Sequence, residues 1–117
     1  MPVWGVWMPE CERWGFGCAP TARKVRNIGA NDRVVVTTDD AVECVSIEGR
    51  AERLVGDGLE AMATAWAGKY HDGTQAETEM IEFVKAGAAY EVVPERAFGL
   101  IETPELFSTS ATRWVWD

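Results

Sequence analysis

Thr21–Thr38, TARKVRNIGANDRVVVTT, holds one short helix and then one strand, and the partner that this strand takes settles the fold class. Pro20 and Thr21 open the helix, with Thr21 placed as its N-cap and Gly29 as its stop. Arg33 to Thr38 (RVVVTT) is β-branched everywhere but at Arg33 and reads as a strand. Asp39-Asp40 is its turn. Val42 to Val55 is a long second strand, with Gly49 marking a bulge or bend. Two strands joined by a tight turn, with no helix between them, run antiparallel.

Upstream, Val3 to Trp7 (VWGVW) and Arg13 to Cys18 (RWGFGC) are aromatic and β-branched strands. They form a hairpin around Pro9 to Glu12. Downstream, Leu59 to Tyr70 and Ala76 to Ala86 have helical periodicity, with Leu59, Met62, Trp66 and Ile81 among the apolar positions. His71 to Gly73 breaks these two helices. Ala89 to Val93 and Ala97 to Glu102 return to strand, separated by Pro94, and Ala111 to Trp116 is a last short strand after a polar loop. Strands, a helix pair and more strands make an α+β or mainly β pattern, not alternating βαβ. A partly open antiparallel barrel forming a single domain over residues 1–117 is the economical architecture.

The net charge of −8 argues against nucleic acid or an anionic membrane surface as the main partner. No apolar run approaches the ~20 residues of a membrane span, and no signal segment opens the chain, so a cytoplasmic location is expected. Cys11, Cys18 and Cys44 are odd in number and lack metal-ligand spacing, which favours reduced thiols over disulfides. With His71 the sole histidine, a structural zinc site is not expected.

The charge is unevenly spread. Between Arg13 and Asn31 there is no acidic residue, while Arg13, Arg23, Lys24 and Arg26 all fall there. If Thr21 caps the helix, Arg23 and Lys24 occupy its first turn, where cations face the positive end of the helix dipole at a cost of ~0.3–1 kcal/mol each. A phosphate bound at that helix start relieves the conflict, taking backbone N–H groups and side-chain charge together. Other constellations lead nowhere. Cys18 has no histidine to activate it, and the acidic pairs Asp39-Asp40 and Glu77/Glu79 suit a turn and a solvent face.

PVWGVW (Pro2 to Trp7), TARKVRNIGANDRVVV, VSIEGRAERL, WAGKY (Trp66 to Tyr70) and ATRW (Ala111 to Trp114) together resemble the pyridoxamine 5'-phosphate oxidase-like family. The resemblance covers nearly the whole chain in the right order. It implies an FMN-binding split barrel, an antiparallel split β-barrel with short helices. The expected assembly is a homodimer holding two cofactors at the subunit interface. FMN or the deazaflavin coenzyme F420 is the implied cofactor, with hydride transfer to a small planar substrate as the implied oxidoreductase chemistry. A non-catalytic flavin or haem storage protein, or a family member without cofactor, are the alternatives. Arg23 and Lys24 match the basic pair that holds the cofactor phosphate, and Lys24 and Asn27 match the positions shared in deazaflavin-type members. Thr21 and Cys18 lie where the family contacts the phosphate and ribityl chain. Trp4, Gly5 and Val6 match the strand beside the flavin ring, and Arg113 and Trp114 match a C-terminal motif that reaches toward the active site. The match starts about where the family's second strand lies, so a barrel without the usual N-terminal helix and first strand is expected. Trp7 stands where flavin-type oxidases tend to carry a lysine. The six tryptophans otherwise suit the core or a dimer interface.

Overall fold

The computed structural model describes residues 2–70 and 75–117, so the break expected at His71 to Gly73 lies outside the described residues. The elements run β1 (Gly5–Met8), β2 (Arg13–Cys18), α1 (Arg23–Ala30), β3 (Arg33–Thr37), β4 (Glu43–Arg53), α2 (Gly56–Tyr70), α3 (Gln75–Ala86), β5 (Ala88–Ile101), α4 (Phe107–Ser110) and β6 (Thr112–Val115). The strands form a six-stranded, mainly antiparallel sheet in the order β1-β2-β5-β4-β3, with β6 also on β5. Among the described residues this order ends at β1 and at β3, so the hydrogen-bonded path is open. The class is α+β.

The chain divides into two compact units, one of Met1–Asp32 with Ala51–Val93, the other of Arg33–Arg50 with Pro94–Asp117. In the first, β1, β2 and the start of β5 form a ladder that pairs Gly5 with Phe16, Trp7 with Trp14, Phe16 with Tyr90 and Cys18 with Ala88. Alternation then gives the ladder two faces. One carries Val6, Met8, Gly15, Gly17 and Ala89, and α2 and α3 pack on it. Val6, Met8, Leu54, Met62, Ala63, Trp66, Val84 and Ala89 make the core there. Gly15 is what lets α2 approach, since a Cβ at that position would overlap Met62 Cγ. Lys85 of α3 reaches Glu60 of α2 at 2.8 Å, and the Glu60 carboxylate raises the lysine pKa.

In the second unit β3 and β4 pair in unbroken register from Arg33 opposite Arg50 to Thr37 opposite Ser46. Gly49 sits opposite Val34 in this run, so no bulge interrupts the β3–β4 ladder there. The Asp40 carboxylate accepts the Val42 and Glu43 backbone N–H groups at 2.7 and 3.1 Å and closes the turn as anticipated, and these bonds hold its pKa below the usual carboxylate range.

Three further expectations need correction. The break at Pro94 does not occur, because β5 is one strand of 14 residues. Its pairing with β2 ends at Val92 and its pairing with β6 begins at Arg96, so the residue lacking an N–H falls in the gap between those two ladders. Thr21 is not the N-cap of α1. Ala19–Ala22 forms a turn through a 3.0 Å Ala22 N–H to Ala19 C=O bond, which moves the cap to Ala22, and the helix runs past Gly29 to Ala30. The polar loop before the last strand contains α4, nucleated by Leu106 and Phe107 N–H groups on the Thr103 carbonyl.

Candidate functional site

The other face of the β1-β2-β5 ladder carries Gly5, Trp7, Trp14, Phe16, Cys18, Ala88, Tyr90 and Val92, an order set by alternation in RWGFGC and AAYEV. Trp14 and Phe16 lie 5.4 Å apart between ring centroids, and Phe16 stacks on Tyr90 at 5.6 Å with 21° between planes. Phe16 and Tyr90 are buried, whereas Trp7 is exposed. This aromatic row ends at Cys18, the last residue of β2.

Beyond Cys18 the Ala19–Ala22 turn leads into α1. The cap residue Ala22 has no side-chain acceptor, and no acid occupies the first turn, so the leading N–H groups of Arg23 and Lys24 have no side-chain partner. Spacing sends the two cations apart. Arg23, Arg26 and Asn27 line the exposed side of α1, while Lys24, Val25 and Ile28 are half-buried. Lys24 is near enough to the Cys18 thiol to favour its thiolate, and so is Arg53 at the end of β4. Burial is the larger effect and leaves the thiol pKa raised. The Arg53 guanidinium lies 5.5 Å from the Tyr90 ring centroid.

The ion pairs sort the cations. Arg33 and Arg50 share Glu95 at 3.2 and 3.6 Å, Arg96 pairs with Glu48, and Lys85 pairs with Glu60 and Glu82. Among the described residues Arg23, Lys24, Arg26 and Arg53 have no acidic partner. An open depression of about 170 Å³ lies in the second unit between Arg33, Glu48, Glu95 and Arg96. Its arginines are already neutralised, so it offers little charge to an anion. Among the described residues no group of three or more His, Cys, Asp or Glu side chains could hold a metal, and no helix is long and apolar enough to cross a membrane.

The sequence-predicted residues therefore fall into three groups. Cys18, Thr21, Arg23 and Lys24 lie at the end of β2 and the start of α1, and Asn27 lies further along α1 on its exposed side. Trp4, Gly5 and Val6 lie on or beside β1 and are engaged by α2. The Trp4 ring stacks on Tyr70 at 5.3 Å, and the Trp4 carbonyl accepts the Trp66 indole N–H at 2.9 Å. The Gly5 carbonyl accepts Lys69 Nζ at 2.7 Å and the Tyr70 hydroxyl at 2.9 Å, and Val6 is in the core. The planar ring that approaches Gly5 in this chain is Trp14, whose indole a Cβ at Gly5 would overlap. Arg113 and Trp114 lie on β6 in the second unit, opposite Phe98 and Ala97. The Trp114 ring covers Gly99, where a Cβ would come within 3.0 Å of it.

Sequence reasoning did not single out Arg53, Tyr90, Phe16 or Trp14 for the site. The alternation in RWGFGC puts Trp14, Phe16 and Cys18 on one face, and that was the available signal. Arg53 had none, because only the ion pairs distinguish it from the other basic residues around it. No protein-family model matches the chain, and no curated protein matches it.

Proposed function

We propose that the chain is a flavin- or deazaflavin-binding oxidoreductase of the pyridoxamine 5'-phosphate oxidase-like kind, with a split-barrel fold and a homodimeric assembly. The observation that carries this reading is the set of cations without acidic partners at the Cys18 end of an aromatic row, of which Trp7 and half-buried Trp14 reach the surface. A planar aromatic phosphate presents the complementary chemistry, an extended π surface joined to a compact anion. The donor set fits the phosphate of FMN or of coenzyme F420: the Lys24 ammonium, the exposed Arg23 guanidinium, and the uncapped N–H groups that begin α1. The bound cofactor would supply the hydride chemistry, which accounts for a site with no acid–base pair of its own. The chain's residues hold the phosphate and seat the ring beside the substrate.

The homodimer rests on the distribution of apolar surface. Of fifteen buried apolar residues among the described residues, Ala97 alone belongs to the second unit. That unit holds eight of the twelve exposed large apolar residues, including Val35, Phe98, Phe107 and Val115. A sheet with so small a buried core gains most from covering these side chains with a second copy.

The test is the visible absorbance of the purified protein, followed by titration of FMN and of the deazaflavin into wild type, Arg23→Ala and Lys24→Ala. Each lost charge-assisted hydrogen bond is worth roughly 1.5–3 kcal/mol, or about 10- to 100-fold in affinity. Lys24→Ala is expected to lose more than Arg23→Ala, because Lys24 faces the protein and Arg23 faces solvent. Affinities that both variants leave unchanged would overturn the phosphate site. A flavin that binds tightly but turns over no electron acceptor would make the chain a storage protein.

A further inference from the structure

Arg53 lies outside α1 and has no acidic partner among the described residues, and its guanidinium is placed over the Tyr90 ring. Tyr90, on which the guanidinium lies, is buried and stacked on Phe16. Phe16 pairs with Tyr90 and Cys18 with Ala88, so the Tyr90 ring and the Cys18 thiol share a face two residues apart along each strand. Opposite Cys18 stands the small side chain of Ala88, and the thiol itself is half-buried. Lys24 comes to this thiol from α1 and Arg53 from β4, both near enough to act on it electrostatically. Two cations from separate elements thus face one half-buried thiol, with no carboxylate between them among the described residues. Like charges repel, and an anion between half-buried Lys24 and exposed Arg53 turns that repulsion into attraction. With its Cζ over the ring and no acidic partner among the described residues, the guanidinium has N–H groups to offer an oxyanion.

We infer that Arg53 is a second anchoring residue for the ligand's phosphoryl group, gripping it from β4 while Lys24 grips it from α1. This rests on the phosphate reading above and adds a residue from a different strand, with a fixed direction of approach.

The experiment follows alkylation of Cys18 by iodoacetamide, located by peptide mass spectrometry, with increasing inorganic phosphate or FMN. The variants are Arg53→Ala, Arg53→Gln, Lys24→Ala and Arg26→Ala, each first checked by its melting curve. Gln keeps a planar group over Tyr90 and covers the case in which Ala disturbs packing. In wild type, phosphate and FMN should slow alkylation, because a bound anion covers the thiol and cancels the cations that favour thiolate. Both Arg53 variants and Lys24→Ala should need at least ~10-fold more ligand for the same protection, with Arg26→Ala unchanged. Protection that Lys24→Ala weakens and the Arg53 variants leave intact overturns the role of Arg53 and spares the phosphate reading. No protection of wild type by either ligand overturns both. Loss of protection in Arg26→Ala equal to that in the Arg53 variants also overturns the inference, since general charge would then explain it.

Discussion

Replacing Gly5 by alanine tests whether Trp14 is locked across the β1–β2 hairpin. The added Cβ would overlap Cζ2 and Cε2 of the indole and come within 2.5 Å of Cη2. Carbon pairs rest at ~3.5–4.0 Å, so the six-membered ring must retreat by more than ~1 Å. Trp14 has little freedom to do so. It stands opposite Trp7 on one side and Val92 on the other, with Phe16 at 5.4 Å along its own strand. Overpacking of this kind costs about 1–3 kcal/mol. For a chain of this size that lowers the melting temperature by about 4 °C per kcal/mol. The assay is urea unfolding of wild type, Gly5→Ala, Trp14→Leu and the double variant. If the clash is with the indole, most of the Gly5→Ala cost disappears in the Trp14→Leu background, giving a coupling above about 0.5 kcal/mol. Equal costs in the two backgrounds would refute the reasoning and place the strain in the β1 backbone.

Two further expectations can be checked with the same preparations. Met62→Ala should destabilise the protein by about 2–5 kcal/mol in urea unfolding, because Met62 is fully buried and fills the space over Gly15. Light scattering at dilute concentration should give twice the monomer mass, since the exposed apolar side chains of the second unit need covering; a stable folded monomer would contradict the homodimer.

Much of the fold was legible because local pattern and tertiary context agree. RWGFGC alternates small and aromatic residues, and the structure uses that alternation directly, glycines against α2 and α3 and aromatics on the opposite face. RVVVT and its Asp-Asp turn likewise specify a hairpin without outside help. The errors lie where a residue's effect depends on its partner. Pro94 should end a strand only if both edges of that strand are occupied, and occupancy is a property of the sheet rather than of VVPER. Thr21 has the side chain of a cap but sits one residue early, because the Ala19–Ala22 turn decides where helical dihedrals begin. Gly49 could equally serve a bulge or an ordinary cross-strand pair, and the register alone chooses between them.

The charges on α1 give the site its physical logic. Arg23 and Lys24 sit in the first turn of an eight-residue helix with no acid there, each opposed by the helix dipole by ~0.3–1 kcal/mol. Arg23 and Arg26 are three residues apart on the exposed side, and a like-charge pair at that spacing costs a further ~0.2–0.5 kcal/mol. The chain has 19 acidic residues, and it places glutamates beside Arg33, Arg50, Arg96 and Lys85. A helix that short, with two cations and no acid in its first turn, is disfavoured by its capping and its dipole. An anion at its start reverses those terms, because the dipole, the uncapped N–H groups and the Arg23 and Lys24 charges then act on the same charge. The ligand-free helix should therefore be among the least stable parts of the first unit, and phosphate should protect its amides from hydrogen exchange more than those of α2. Equal protection in α1 and α2, or none, would mean that the cations of α1 are simply solvated.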